Sequence, residues 1–375
     1  MFQKRKMKSL CMLTAGIILL SACGQETGGE TEMKSEDIIL SDFENYYAVA
    51  ISENGYYYWE QMQVGSISQL MFLDRVSGKT VPLCNKPDCR HDNKNCNAYF
   101  GNIDVGVDGV DKEYLQYYDG SLYAVGCDQD DYVTLYRISA DGSEWEDCTR
   151  LYKTDYSATG AWRTPSILID DSRVYFIDNK QESMQLKSVG LDGKDEQIIF
   201  EDEDGNNATV YRMKRSGKYL YYQVMIYFDD TYENYTGGLY QYDIATGQSN
   251  IIKGGLVGPY SVKDNKVYYG NEEGLCCYSI ANQSTKILAE QSMQIPYITL
   301  TKEYIAVVDQ MVDNAVTLYD YSGKKIASVH DETMVQYFGG DSELLFAECK
   351  NDEGSLVWSI LKLDQIGENL HWEKL

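Results

Sequence analysis

Four side chains able to hold a metal sit close together in this sequence. Cys84, Cys89, His91 and Cys96 are spaced C-x4-C-x-H-x4-C within CNKPDCRHDNKNCNAYF. Three thiols and an imidazole suit tetrahedral zinc, and the mixed set favours zinc over an iron–sulfur cluster. Pro87 and Asp88 favour a tight turn between the first two ligands. His91 is one of only 3 histidines in the chain, which makes its place among thiols less of a coincidence. The spacing differs from the C-x2-C opening of common zinc fingers. No partner for an open coordination position is visible, so any metal held here is structural rather than catalytic.

Disulfides are the competing chemistry. With Cys11 and Cys23 set aside, eight thiols remain: Cys84, Cys89, Cys96, Cys127, Cys148, Cys276, Cys277 and Cys349. An even count in an exported chain permits full pairing, but spacing does not fix the connectivity. Cys276 and Cys277 are adjacent in a strand pattern and point to opposite faces. Cys127 and Cys349 end strand-like runs, where a buried thiol is ordinary. Cys84, Cys89 and Cys96 leave one thiol over if they pair only with each other. Metal and disulfide both remain open at this stage.

Other chemistry finds little purchase. G-x-S-x-G, HExxH and a glycine-rich phosphate loop are absent, and His330 and His371 stand outside any motif. Acidic loops at 128–131, 201–207 and 229–230 lack the EF-hand pattern and read as solvated. The one loop that combines aromatics with carboxylates carries Tyr227, Asp229, Asp230, Tyr232 and Tyr235. These are the candidate ligand-binding residues.

The elements that position these residues come from a repeat. Ser261–Leu288 reads as a turn at Asp264-Asn265, a β-run from Lys266 to Gly270, a break, and a second run from Leu275 to Ile280. A third short run follows. A run at Tyr260–Lys263 completes four strands. Similar units recur seven times at a spacing of roughly 40–50 residues, the range of four-stranded blades. Ser-Gly, Asp-Gly and Thr-Gly pairs at 77–78, 141–142, 192–193, 246–247 and 322–323 supply hairpin turns. One blade cannot bury both faces, whereas a ring of blades does so and leaves short edges. The expectation is an all-β, seven-bladed propeller of four-stranded antiparallel blades over 38–375, with a Cys/His insert at 84–100. A β-sandwich is the competing architecture.

The Gly/Asn-x-[Val/Leu]-Tyr-[Tyr/Phe] and Leu-Tyr-x-[Tyr/Ile] patterns resemble the low-density lipoprotein receptor-related type of propeller. That is a domain of unknown function found on many bacterial lipoproteins. The resemblance runs from about Glu44 to the end, and LCNKPDCRHDNKNC is similar to an insert in the first blade of such proteins. It implies a fold rather than an activity.

The first 22 residues have a basic start at Lys4–Lys8, an apolar stretch at Leu10–Leu20 and a small-residue end, the layout of a secretory signal. Leu20-Ser21-Ala22-Cys23 resembles the bacterial lipobox, which implies acylation of Cys23 as the mature N-terminus. Residues 23–37 then form the acylated cysteine and a flexible acidic tether. The whole chain carries 33 basic and 58 acidic side chains, a formal charge of −25. Such a chain repels nucleic acid and anionic headgroups.

The expected protein is a lipoprotein of the bacterial cell envelope, facing outside the cytoplasm and held to the membrane by a lipid at Cys23. It acts as a non-enzymatic scaffold for a protein, peptide or glycan, with structural zinc or disulfides in its insert. The competing reading is an extracellular polysaccharide-processing enzyme or its sugar-binding accessory.

Overall fold

Alternating apolar residues in short runs, separated by tight turns, can only satisfy their backbone groups and bury one face after another in sheets. The computed structural model describes residues 48–61, 68–93, 95–100, 110–154, 166–179, 184–201, 207–228, 235–256, 258–294, 296–309 and 314–375. The chain divides into two compact units, Met1–Met33 and Lys34–Leu375, and every described residue belongs to the second.

Among the described residues there are seven antiparallel sheets, each built from four strands consecutive in sequence. Blade 1 comprises Val49–Ile51, Gly55–Gln61, Ser68–Asp74 and Thr80–Pro82, with Tyr99–Phe100 added at its outer edge. Blade 5 comprises Tyr260–Lys263, Lys266–Asn271, Gly274–Ser279 and Ser284–Ala289, close to the pattern read from sequence. Blade 7 comprises Met334–Gly340, Leu344–Lys350, Leu356–Lys362 and Trp372–Lys374. Each first strand neighbours the first strand of the next blade, and Met334–Gly340 neighbours Val49–Ile51. The seven first strands therefore close a ring. The fold is a seven-bladed β-propeller, as the repeat predicts.

Polar bonds stitch the inner strands together. The Gln116 side chain donates to the Ile169 carbonyl at 2.7 Å and accepts from the Ile169 N–H at 2.9 Å, joining blades 2 and 3. Ser261 Oγ accepts from Lys214 Nζ at 2.7 Å and donates to the Ile298 carbonyl at 2.6 Å, joining blades 4, 5 and 6. Tyr337 donates to Thr299 Oγ1 at 2.9 Å between blades 7 and 6. Such bonds satisfy groups that would be costly to bury alone.

The turn glycines have a second task beyond the hairpin. Gly142 sits at φ 70°, and a Cβ there would lie 2.4 Å from the Leu83 carbonyl of the preceding blade. Gly323 repeats the arrangement at φ 97°, with a Cβ falling 2.0 Å from the Leu288 carbonyl. Only glycine allows both the left-handed backbone and this approach.

Ring closure uses side chains. Along the second strand of blade 1, Tyr56 and Tyr58 pack with Phe346 and Trp358 of blade 7, while Tyr57 and Trp59 pack toward blade 2. That split is the two-residue period of a strand. Trp358 Nε1 donates to the Trp59 carbonyl at 2.8 Å. Asp341 accepts from Tyr56 at 2.9 Å and from Arg75 Nη2 at 2.8 Å. Arg75 lies 4.5 Å above the Tyr56 ring and also pairs with Glu343 at 2.7 Å. Burial, then the Asp341 charge, pushes the Tyr56 hydroxyl far above the ordinary tyrosine range, so it remains a donor. Among the described residues no strand passes between the first and last blades.

A candidate metal centre on the first blade

The third strand of blade 1 pairs with two separate segments. Thr80–Pro82 pairs along Leu73, Phe72 and Met71, and Tyr99–Phe100 pairs along Gln69 and Ser68. The residues between are a loop inserted into the fourth strand. Its neck is held by one buried residue. The Leu70 carbonyl accepts from the Leu83 N–H, and the Leu70 N–H donates to the Ala98 carbonyl, both at 2.8 Å. The expectation placed the whole of 84–100 outside the blade pattern. Its last two residues, Tyr99 and Phe100, return to pair with Gln69 and Ser68 at the sheet edge, a two-residue run too short to mark a strand in the sequence.

Tight turns then fold the loop back on itself. The Cys89 N–H donates to the Lys86 carbonyl at 3.4 Å, and the Cys96 N–H to the Asn93 carbonyl at 3.0 Å. Asp88 and His91 take left-handed φ values of 59° and 55°, and Asp and His are among the side chains that tolerate this. The Gln69 side chain donates to the His91 carbonyl at 3.0 Å and fixes the histidine backbone from the blade beneath.

The result brings all four predicted ligands together. One ligand atom from each of Cys84, Cys89, His91 and Cys96 lies within 4.8 Å of the others. His91 Nδ1 is 3.2 Å from Cys96 Sγ. Zinc bonds of ~2.3 Å to sulfur and ~2.0 Å to nitrogen correspond to tetrahedral edges of ~3.5–3.8 Å. The His91–Cys96 pair is slightly closer than such an edge and the 4.8 Å bound is about 1 Å longer, so side-chain shifts of that order reach the shape, and the donor set matches the metal. None of the eight described thiols is bonded to another. Cys96 is buried, and the other three ligands are partly so.

The thiols are unequal. Burial, reinforced by the Cys84 and Cys89 neighbours, pushes the Cys96 thiol up to about 12. Burial opposes ionisation of Cys84 as well. Bonds from the Lys86 and Asn97 backbone and from the neighbouring thiols outweigh it and hold Cys84 below the ordinary thiol range. A divalent ion binds thiolates, so occupancy would release protons from this cluster.

The loop also leans on blade 2. Asn85 donates to Asp141 Oδ2 at 2.9 Å and accepts from Asn97 at 3.0 Å. Leu83 at the neck meets Gly142 in the same blade-2 turn, next to the core shared by blades 1 and 2.

The aromatic candidates lie elsewhere. Tyr227 and Tyr235 face each other at the end of the blade-4 hairpin formed by Tyr219–Tyr227 and Tyr235–Asp243, with ring centres 6.0 Å apart. Tyr235 is 47% exposed and Phe228 beside it 65% exposed. The sequence reading overlooked Phe228, although it continues the same aromatic run. Asp229, Asp230, Tyr232 and Cys23 lie outside the described residues, as do the signal segment and the tether.

No protein-family model matches the sequence, and no curated protein matches it. Similar folds are found among solved structures. A prolyl endopeptidase structure aligns with TM-score 0.58 and 11% identity, covering 91% of this chain and 51% of that one. A puromycin hydrolase aligns with TM-score 0.58 and 11% identity, covering 89% and 54%. The chain spans about half the length of both. A chain of a nidogen/laminin complex gives TM-score 0.43 and 14% identity over 73% of this chain and 92% of that one. At these identities the likeness concerns the fold alone.

Proposed function

We propose that this chain is a lipid-anchored, non-enzymatic interaction scaffold of the bacterial envelope, whose first blade carries a structural zinc. Acylation at Cys23 holds it to the membrane outside the cytoplasm. Strands form the rigid frame, and loops on that frame bind a protein, peptide or glycan. The observation that carries the zinc part is the convergence of Cys84, Cys89, His91 and Cys96 within 4.8 Å. Binding is supported by the exposed aromatics Phe228 and Tyr235 at the blade-4 hairpin, a surface suited to stacking.

Zinc in this loop would be held by the three thiolates and the imidazole. It would supply no chemistry beyond cross-linking, since all four positions are taken by protein. What the chain's residues do is hold the loop to blade 1 through Leu70 and Gln69 and to blade 2 through Asn85. Palmitate labelling of cells that express the chain tests the anchor: Cys23→Ala abolishes both label and membrane association. Glycan and peptide arrays test the scaffold: Tyr235→Ala lowers binding at least tenfold without altering the unfolding midpoint. Release of shortened oligosaccharides from a polysaccharide would overturn the non-enzymatic reading.

A further inference from the structure

A cavity of about 680 Å3 opens where blades 6, 7 and 1 meet, on the face that carries the short turns. That volume is in the range of ligand sites. Its floor is apolar, with buried Leu73, Ile360 and Leu363. One wall is formed by Tyr56, Arg75 and Glu343, with Arg75 paired to Glu343 at 2.7 Å and to Asp341 at 2.8 Å. The rim is charged. Glu303 and Asp364 are exposed there and form no ion pair with a described lysine or arginine. Lys302 and Lys374 stand on the same rim.

We infer that this cavity binds an extended peptide segment of a partner protein, carrying an aliphatic anchor and flanking basic side chains. The anchor covers the cavity-lining apolar surface that is still exposed, on Tyr304, Leu344 and Leu375, over the already buried Leu73, Ile360 and Leu363. Basic side chains pair with Glu303 and Asp364, and the formal charge of −25 favours their approach. Lys302 and Lys374 face the peptide carbonyls. This site is remote from the hairpin read as a binding surface above, so either can fail without the other.

The walls come from both ends of the ring: Leu73–Thr80 of blade 1 and 342–375 of blade 7. A bound peptide therefore touches both sides of the seam and opposes its opening.

The test is calorimetric titration of the detergent-solubilised full chain with a nine-residue peptide alternating lysine and leucine. A second peptide replaces every lysine with glutamate. The expected result is one lysine peptide per chain, a raised unfolding midpoint and no binding of the glutamate peptide. Combined Glu303→Lys and Asp364→Lys weakens binding at least tenfold. The control pair, Glu272→Lys and Glu273→Lys, lies at the opposite end of blade 5 and leaves it unchanged, as does Tyr235→Ala. All four positions are exposed, so folding is preserved. Equal loss from both pairs would mean diffuse charge attraction, and preference for the glutamate peptide would make the lysines the recognition groups. Either result, or no binding, overturns the proposal.

Discussion

The first blade is held on its two sides by different means. Toward blade 7, Asp341, Arg75, Tyr56 and Trp358 form a set completed by protein atoms alone, over a core of Tyr58, Phe338 and Phe346. Toward blade 2, a loop pinned at Leu70 reaches Asp141 through Asn85 and gathers four ligand atoms within 4.8 Å of one another. The difference follows chain connectivity. Blades 1 and 2 are covalent neighbours, so a local cross-link suffices to fix the loop between them. Among the described residues blades 1 and 7 share no strand, and they meet through buried, directional contacts.

That contrast can be broken most severely at the seam. Asp341→Ala leaves Arg75 and the Tyr56 hydroxyl without their shared acceptor, and losing one partner of a buried pair costs ~3–5 kcal/mol. Urea denaturation is expected to show this loss, and a change below ~1 kcal/mol would mean that the seam is held by packing alone. Trp358→Phe keeps a ring against Tyr58 but removes the bond to the Trp59 carbonyl, for an expected ~0.5–1.5 kcal/mol. On the other side, Asn85→Ala removes one bond to blade 2, worth ~0.5–1.5 kcal/mol, and should lower stability least in zinc-replete protein. A loss as large as that of Asp341→Ala would erase the distinction.

The smallest effect is set by pH. The Ser143 hydroxyl, then the Ser143 N–H and Ser139, hold the Asp141 carboxyl well below the ordinary carboxylate range, with Asn85 adding to them. A depressed folded value means the contribution is present above the unfolded value near ~4 and is lost as pH falls below it. Asp141→Asn should therefore lower stability by a constant amount at neutral pH and flatten the profile below about pH 4, where the difference from the parent chain disappears. A flattening above that range would contradict the assignment.

Much of the frame was legible because blades are local. The Tyr-rich second strands and Asp-Gly turns repeat within each unit, so blade 5 could be read to within a residue at most ends. The four ligands were legible for the same reason, being thirteen residues from end to end. Their convergence was not, since it depends on the turns at Asp88 and His91 and on Leu70 closing the neck. The seam was invisible. Arg75 and Asp341 are 266 residues apart, and nothing in either local pattern marks one as the partner of the other. The cavity beside them is likewise a product of blades 6, 7 and 1 coming together.

The most direct test is the zinc content of the purified full chain, prepared without chelator, beside Cys89→Ser. The account predicts about one zinc per chain, lost in the variant together with part of the blade-1 stability. A metal-free protein whose Cys84, Cys89 and Cys96 are oxidised in disulfides would contradict it and make the insert a covalent staple.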